Sequence, residues 1–236
     1  MGRVRGTARP RRSDGAETRA RLKSAAQRLF ATRGIDGVTV RDLISAAGQR
    51  NNASLSYYFG SKEELARELI IDGAKLLDER RRSMLAVLED AGREPAVREI
   101  LEVLIAPVVD LSTDPSQANY LQMIANLDLN DRAFVRETLA NTWNYGYRRC
   151  VDHLLRLIPD VPRRLLEQRI SLAVIYMNAV GAARERSVGT PGESRLWSNT
   201  YALANLLDTI QAMLEAAPSE ETLTAAGLVD ESVRLD

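Results

Sequence analysis

The sequence predicts an all-α protein with a small three-helix N-terminal domain and a larger helical C-terminal domain. Apolar residues recur every three to four positions along the chain, as they do on one face of residues 16–32. No strand-like alternation of β-branched residues occurs. Thr39 and Asp42 form a Thr-x-x-Asp pair that caps the start of a helix, and Ser61 and Glu64 repeat that pattern.

Glycine, proline and polar turn residues divide the chain into predicted helices. The fourth of these helices is long and connects the two domains. We predict helices at about 16–32, from Thr39 for two turns, and at about 52–59, 61–90, 95–111, 117–127, 131–157, 162–186 and 194–216. The expected domains are a disordered basic arm (1–15), a helix-turn-helix domain (16–62), a second helical domain (63–217) and an acidic tail (218–236).

Residues 39–59 have the pattern of a helix-turn-helix motif. The helix that Thr39 opens runs about two turns before Gly48, which can adopt the positive φ of a tight turn. A second short helix follows at 52–59, and in such motifs the second helix enters the major groove of DNA. We therefore predict that the chain binds double-stranded DNA. The alternative is a corner between two helices without nucleic acid, which many all-α proteins contain.

The charges are distributed unevenly along the chain. Its 32 basic and 32 acidic residues balance, yet residues 1–62 carry 13 basic against 4 acidic side chains, a net charge of +9. The other 174 residues carry 19 against 28, a net charge of −9. A basic first quarter is typical of a DNA-binding domain. The five arginines of residues 1–13 suit a minor groove or phosphates, and a solvated tail is the alternative.

Residues 17–69 resemble the DNA-binding domain of TetR-type bacterial transcriptional repressors. The resemblance implies a homodimer that represses transcription from a palindromic operator and is released by a small-molecule effector. The turn at 49–54 is one residue longer than is common in the family, which rotates the start of the second helix by about 100 degrees. The matching residues are Thr18-Arg19, Ala25-Ala26, Leu29-Phe30, Gly34, Val38 to Leu43, Ala46 to Gly48, Leu55, Tyr57 and Phe59 to Leu65.

The motif predicts contacts to base edges and contacts to phosphates. Residues at the start of the second helix reach base edges, where arginine can bind guanine and asparagine adenine. The resemblance implies phosphate contacts from residues around the motif, among them Lys62, which lies beside a helix N-terminus that suits an anion. The predicted DNA-binding residues are Thr39, Arg41, Gln49, Arg50, Asn51, Asn52, Ser54, Ser56, Tyr57, Tyr58 and Lys62.

A set of large, adaptable side chains on the predicted helices of the second domain is the candidate effector pocket. Filling the core is an equally good explanation for any one of them. As a set they suit an apolar cavity between helices, and the family resemblance implies a small molecule there. The predicted pocket residues are Tyr120, Met123, Trp143, Tyr147, Tyr176 and Met177.

The last two long helices carry apolar residues on more than one face, which implies a second packing partner. One alternative is a central helix within a monomer. The resemblance instead implies a dimer, because TetR-type proteins pair their last two helices as a four-helix bundle. The predicted interface residues are Leu166, Ile170, Ala173, Met177, Leu203, Leu207, Ile210 and Leu214.

The composition argues against several other classes of protein. One histidine, His153, and one cysteine, Cys150, cannot form a His/Cys zinc set, and no nucleophile–base–orienter pattern occurs. We therefore expect no metal, no cofactor and no enzymatic activity, with Cys150 as a buried structural thiol. Since no run of about 18 apolar residues and no signal peptide occurs, we expect a cytoplasmic protein without a membrane partner.

Three functions follow from these patterns. The first is the ligand-responsive, homodimeric repressor. The second is a helix-turn-helix DNA-binding protein without a small-molecule effector, either architectural or controlled by a protein partner. The third is a helical binding protein whose N-terminal domain no longer recognises an operator. Binding to a palindrome in excess random DNA separates the first two from the third, and release by a small molecule separates the first from the second.

Overall fold

Every regular element is a helix in the residues that the structure, a computed structural model, describes, which are 12–140, 144–188, 197 and 199–228. The predicted all-α class is therefore confirmed. The helices are α1 (Arg12–Arg33), α2 (Val40–Ala46), α3 (Ala53–Phe59), α4 (Lys62–Glu89), α5 (Val97–Leu111), α6 (Tyr120–Asn130), α7 (Arg132–Leu139), α8 (Tyr145–Leu157), α9 (Arg163–Ser187), α10 (Ala202–Glu215) and α11 (Glu220–Ala225), with a 3-10 helix at Pro115–Gln117.

The chain divides into two compact units. The first unit contains the described residues up to Leu76, together with those of 111–144 and 178–191. The second unit contains those of 77–110, 145–177 and 192–236. Helices α4 and α9 each contribute residues to both units. The three helices of the helix-turn-helix domain, α1 to α3, which we call the head, therefore share a unit with α6 and α7.

The head has its own apolar core. Leu22 and Phe30 of α1, Leu43 of α2 and Leu55 of α3 are at most 1% exposed, as is Leu65 near the start of α4. Burial of each such side chain stabilises the fold by about 1.5–3 kcal/mol before the entropy cost is counted. The short helices α2 and α3 are thus held by their apolar faces, because isolated helices of this length are unstable in water.

Most predicted helices are confirmed within a few residues, and one is wrong. The long helix predicted at 131–157 divides into α7 and α8, and Ala140 lies outside both. The start of α8 is fixed by Asp78, whose Oδ1 accepts the Gly146 N–H at 2.6 Å and so caps the new helix. A side chain at position 146 would not fit, since its Cβ would lie 2.8 Å from Arg81 Cβ.

Four other boundaries differ from the prediction. Residues 12–15, which we expected in the disordered arm, are helical, because α1 begins at Arg12. At the next two boundaries polar residues form local turns. The helix expected at 117–127 begins at Tyr120, after a 3-10 turn that Asp114 caps through the Ser116 N–H. Of the helix expected at 194–216, the described part is α10, which begins at Ala202, and Asn199 and Thr200 lie in a bend and a turn before it. Residues 194–196 and 198 lie outside the described residues. The expected acidic tail contains the short helix α11.

In the first unit, α6 packs against α1 and α4. The phenol ring of Tyr120 covers Gly73 of α4 so closely that a Cβ there would overlap the ring. The Tyr120 hydroxyl donates to the Ile70 carbonyl at 3.3 Å. On α1, the buried Gln27 amide donates to the Gln117 carbonyl at 3.4 Å. The first helix of the head is therefore directly seated on α6 and the turn before it.

The second unit has an apolar core from α5, α8, α9 and α10. Within α5, Pro107 has no N–H to donate and disturbs the hydrogen bonds of the preceding turn. The Leu104 carbonyl in that turn accepts a hydrogen bond from Nη2 of the buried Arg81 at 3.0 Å. A charged side chain in the core thus donates to a main-chain carbonyl in the turn before the proline.

Candidate nucleic-acid interface

The first helix of the motif is fixed by its capping box. The Thr39 hydroxyl accepts the Asp42 N–H at 3.2 Å, and Asp42 Oδ2 accepts the Thr39 N–H at 3.0 Å. The same carboxylate oxygen accepts the Thr39 hydroxyl at 2.7 Å. These bonds, the hydroxyl first, hold the pKa of Asp42 below its ordinary value. The predicted cap is confirmed, and it sets where α2 begins.

The turn after α2 is a Schellman motif. The Gln49 N–H donates to the Ile44 carbonyl at 2.9 Å and the Gly48 N–H to the Ser45 carbonyl at 3.1 Å. Gly48 has φ +66°, the left-handed conformation that this motif requires. Asn51 then opens α3, since its Oδ1 accepts the Ala53 N–H at 2.9 Å. The side-chain oxygen of Asn51, a residue predicted to contact bases, thus already accepts a hydrogen bond at the start of the recognition helix, α3.

The predicted DNA-binding residues lie on the outside of the head. The start of α2, the turn and α3 supply them in one continuous stretch, apart from Lys62. Exposed are Thr39, Arg41, Arg50, Asn51, Asn52, Ser56 and Tyr57, and partly exposed are Gln49, Ser54, Tyr58 and Lys62. None of the eleven is buried.

Tyr57 is the most unusual residue of this surface. Its side chain is 81% exposed, although a tyrosine ring normally contributes much of its area to a core. Tyr58 packs against it edge to face, with ring centroids 4.9 Å apart. On the opposite side of α3, Leu55 and Phe59 are buried. The Tyr57 ring therefore lies on the outer face of the recognition helix, and the opposite face of that helix packs in the apolar core.

Lys62 has a second role that the sequence did not indicate. Its ammonium donates to the Ile35 carbonyl at 2.7 Å and to the Val38 carbonyl at 3.0 Å, and its side chain is only 16% exposed. These carbonyls lie in the loop between α1 and α2. Lys62 thereby connects the start of α4 to the loop that precedes Thr39. A phosphate contact from the same ammonium stays a prediction.

Ion pairs between α1 and α4 brace the head. Arg19 Nη2 lies 2.5 Å from Glu68 Oε1, and Lys23 Nζ lies 2.5 Å from Asp72 Oδ2 and also pairs with Glu68. The Arg19 guanidinium also lies 4.9 Å above the Phe59 ring of α3. The partners are 49 residues apart in sequence, so no local pattern reveals them. These contacts connect α1 to α4 and to Phe59 of α3, and so they help to fix the direction of the recognition helix.

The residues predicted for the effector pocket lie in both units. Tyr120 and Met123 are buried in the first unit, where Tyr120 covers Gly73. Tyr147, Tyr176 and Met177 belong to the second unit, and of these only Met177 is buried. Trp143 lies outside the described residues. The structure thus places the first two together on α6 in the first unit and Tyr147, Tyr176 and Met177 in the second unit.

The second unit contains an apolar cavity that Met177 lines. Its walls come from α5, α8, α9 and α10, and include Leu101, Ile105, Leu154 and Ile210. The cavity has a volume of about 20 Å³, which is room for little more than one water molecule. In this conformation it is closed to a molecule of drug size. An effector that enters here has to separate these helices.

Seven of the eight residues predicted for the dimer interface lie within the chain's own core. They are at most 7% exposed, because their stripe on α9 and α10 faces inward. The exposed face of these two helices in the second unit instead carries Leu172 (53% exposed) and Leu203 (37%). The buried seven are Leu166, Ile170, Ala173, Met177, Leu207, Ile210 and Leu214. A second chain docking here without rearrangement meets Leu172 and Leu203 first.

The single histidine and cysteine are both structural. His153 is 7% exposed, with Nε2 2.9 Å from Glu89 Oε1 and Nδ1 2.8 Å from Arg156 Nη2. Cys150 is fully buried, and burial raises the pKa of its thiol to about 12. Within the described residues no group of three metal-binding side chains forms a site. Over the same ranges, no helix has the length and hydrophobicity needed to cross a bilayer.

Comparisons with known proteins found a family match over part of the chain and similar folds among solved structures. The family model described as "Bacterial regulatory proteins, tetR family" matches residues 22–69, which span most of the head. Among solved structures, the fatty acid degradation regulator FadR from Bacillus halodurans is similar, with a TM-score of 0.50, 17% identity, and coverage of 84% of this chain and 95% of that one. The TetR-family transcriptional regulator PfmR from Thermus thermophilus covers 84% of this chain and 100% of its own, with a TM-score of 0.46 and 20% identity. No curated protein matches by sequence.

Proposed function

We propose, from the premise that the chain belongs through residues 22–69 to the tetR family of bacterial regulatory proteins, that this regulator is a ligand-responsive repressor. It binds a palindromic operator as a homodimer, and a small-molecule effector releases it from DNA. The regulator itself follows from the family. The repression, the palindrome, the dimer and the effector are the proposal.

The observation that carries the proposal is the outer face of the recognition helix. Asn52 and Tyr57 are exposed there, on a helix whose inner face is buried. Arg50 lies at the end of the turn that leads into it. Arginine and asparagine side chains can read base edges, whereas an exposed tyrosine suits a phosphate or a thymine methyl group. Ion pairs hold the base of the head in place, so this face is preorganised for one docking geometry.

Charge supports the same orientation on DNA. Residues 1–62 carry a net charge of +9 and the remaining residues −9. A duplex is attracted to the first part and repelled by the second. Two heads related by a two-fold axis match two half-sites about one helical turn, or 34–36 Å, apart. A palindromic operator is the sequence counterpart of that symmetry.

The exposed apolar residues of α9 and α10 support the homodimer. Leu172 of α9, Tyr201 directly before α10 and Leu203 of α10 all belong to the second unit and are 37–65% exposed. Each of these side chains leaves water on association, which favours a self-complementary contact in a two-fold dimer. The small Ala204 is also exposed on α10 and allows a second backbone to approach closely.

Release by an effector requires that the effector binds the non-DNA conformation more tightly. The apolar cavity beside Met177 is the candidate site, and opening it displaces α5, α8, α9 and α10 in the second unit. The continuous helix α4 carries a displacement from the second unit to the first. A coupling of about 1–3 kcal/mol between effector and operator is typical of such systems.

The test uses the full chain, a palindrome selected from a random duplex library, and excess random DNA as competitor. We expect recovery of a palindrome with half-sites one helical turn apart, and its release by an apolar effector found in a compound screen. DNA should weaken effector binding by the same factor by which the effector weakens DNA binding. Selection of non-palindromic sequences, or of none, overturns the operator proposal. Equal effector affinity with and without operator overturns the switch alone.

The closed cavity favours one alternative function. Because its volume is only about 20 Å³, a DNA-binding protein without an effector, either architectural or controlled by a protein partner, is also consistent with the fold. Substitution of Met177 by alanine enlarges the cavity and distinguishes the two. An effector-controlled repressor changes its response to the effector, whereas operator binding by a protein of the alternative class is unaffected.

A further inference from the structure

The start of α1 lies beside the recognition helix. An ideal Cβ on Gly15, close to the N-terminus of α1, would lie 3.4 Å from the Tyr58 hydroxyl of α3. One turn further along α1, the Arg19 guanidinium lies 4.9 Å from the centroid of the Phe59 ring. The N-terminal part of α1 therefore lies against the C-terminal end of α3, at the edge of the predicted DNA-binding surface.

The residues before α1 leave the head at this edge. Helix α1 begins at Arg12, three residues before Gly15, or about 4.5 Å further along its axis. The chain upstream of Arg12 therefore starts next to the predicted DNA-binding surface, and not in the apolar core, where Leu22 and Phe30 of the same helix lie. We call residues 1–11, which precede the described residues, the arginine segment.

The arginine segment is strongly basic. It contains four arginines and neither Asp nor Glu. A segment of this composition has little apolar surface to bury, so its charge decides what it binds. In an extended chain, side chains two residues apart point to the same side. The arginines form two such pairs, Arg3 with Arg5 and Arg9 with Arg11, and Pro10 favours an extended conformation at Arg9.

The shape of B-DNA makes a minor groove the nearest site for this segment. A recognition helix occupies the major groove, so a chain that leaves its edge meets a phosphate backbone and then the adjacent minor groove. That groove lies about half a helical turn away, or roughly 17 Å. Arg3 is nine residues before Arg12 and can lie about 30 Å from it in an extended chain. The segment is therefore long enough to reach the adjacent minor groove.

We propose that the arginine segment inserts into the minor groove next to each recognition helix and selects A·T base pairs there. The minor groove is narrow in A·T-rich sequence, where its negative potential attracts arginine. A G·C pair adds the guanine amino group, a donor that competes with the guanidinium donors. Each half-site is thereby extended beyond the base pairs that α3 reaches. This inference rests on the operator binding proposed above, and its tests separate the two.

The first experiment selects sequences from a random duplex library with the full chain and aligns them on the half-site that the head reads. We expect A·T base pairs at the positions directly beside the half-site. A palindrome without any preference beside its half-sites overturns the minor-groove contact and leaves the operator proposal intact. A·T preference beside single, unpaired half-sites overturns the palindrome and leaves the minor-groove contact intact.

Base analogues show which groove is read. Hypoxanthine paired with cytosine has the major-groove edge of a G·C pair but lacks the amino group in the minor groove, as an A·T pair does. We expect the selected duplex to lose at least about fivefold in affinity when its flanking A·T pairs become G·C, and to regain that affinity with hypoxanthine pairs. A hypoxanthine duplex that binds as weakly as the G·C duplex overturns minor-groove reading.

Two variants of the full chain identify the side chains responsible. The first combines Arg3→Ala, Arg5→Ala, Arg9→Ala and Arg11→Ala, and should bind the A·T and G·C duplexes equally. The control removes the same charge from α7, α8 and α9 and should keep the parent preference, through alanine at Arg132, Arg136, Arg148 and Arg164, which are exposed. Both variants should keep the thermal unfolding midpoint of the parent. Parent-like A·T preference in the first variant overturns the proposal, even where its affinity for all DNA falls, because phosphate contacts alone explain that loss.

Discussion

At the scale of single residues, some polar side chains of the head are exposed to solvent, and others stabilise its helices. Arg50 and Asn52 are exposed at the entrance to the recognition helix, while Asn51 between them uses its Oδ1 to cap that helix. Its side-chain N–H groups are the part of Asn51 that can still reach a base. Neighbouring polar residues thus differ in whether their side chains bond to the backbone or stay exposed, which their residue types alone do not indicate.

We expect Arg50→Ala and Asn52→Ala to relax base preference at defined operator positions. Each bidentate base contact discriminates by about 1–3 kcal/mol. The measurement is the base preference of each variant, selected from a randomised operator library. Arg164→Ala, which removes an exposed arginine of α9, is the matched control and should select the parent operator. Unchanged preferences at every position in both head variants would contradict the assignment.

Lys62→Ala tests two roles that differ in their readout. Loss of its bonds to the Ile35 and Val38 carbonyls should lower the free energy of unfolding by about 1–3 kcal/mol. A phosphate contact from the same ammonium adds uniformly weaker binding to specific and random DNA, with a salt slope reduced by about one unit. Urea unfolding and salt titrations measure the two effects separately.

The control for that variant is Lys75→Ala, because Lys75 is an exposed lysine further along the same helix, α4. It should change neither quantity. A Lys62→Ala protein that is destabilised but keeps the parent salt slope would leave Lys62 a structural residue only. A loss of affinity confined to the operator would also contradict a phosphate contact.

The local structure of the motif was predictable at this scale, and its tertiary support was not. Thr39 and Asp42 are three residues apart and Gly48 ends their helix, so a local pattern contains the whole motif. Arg19 and Glu68 meet only after folding, as does Lys62 with the loop carbonyls. Sequence patterns of this kind report neighbours along the chain, and these contacts depend on tertiary packing.

At the scale of elements, the close approach of α6 to α4 depends on Gly73. Glycine in a helix interior costs about 0.5–1 kcal/mol relative to alanine, so its presence there needs a compensating contact. The Tyr120 ring provides it, since the ring occupies the place of the missing side chain. This contact holds the helix on which α1 of the head is seated.

We expect Gly73→Ala to destabilise the protein, because overpacking against a ring costs about 1–3 kcal/mol and exceeds the helix-propensity gain. In a Tyr120→Ala background the same substitution should become neutral or stabilising, since the obstacle is gone. A double-mutant cycle followed by urea unfolding measures this change of sign. The same destabilisation by Gly73→Ala in both backgrounds would show that the ring is not the cause.

Helix boundaries were predictable where the capping residue is local and not where it is distant. Thr39 and Gly48 define α2 from within the motif. The start of α8 depends on Asp78, which is 68 residues away from Gly146. Sequence periodicity continued across residues 131–157 because nothing nearby indicates that cap. Likewise, the sequence identified the apolar stripe on α9 and α10. It did not indicate that this stripe packs in the chain's own core.

At the scale of the whole molecule, a symmetric operator requires a dimer, and the outer face of α9 is the candidate contact. We expect Leu172→Glu to shift the protein to monomers and to weaken operator binding, because a charge in an apolar interface is left without a partner. Val87→Glu, at a 72% exposed position of α4, is the matched control and should stay dimeric. Sedimentation analysis together with operator titration measures both properties.

A monomeric parent protein at micromolar concentration would overturn the dimer proposal. A Leu172→Glu protein that remains dimeric would instead place the contact on another face of the molecule. In that case operator affinity should also be unchanged. The oligomeric state of the parent protein distinguishes the two outcomes, since it is monomeric in the first and dimeric in the second.

The Tyr120 ring also has a consequence for motion. A ring that is 3% exposed and fills the space above Gly73 can turn over by 180° only when its surroundings expand for a moment. The flip rate of this ring therefore reports how often α6 separates transiently from α4. Aromatic NMR lineshapes record it on the native protein, without any substitution or label at the site. A ligand that loosens this contact increases the flip rate, and one that tightens it decreases the flip rate.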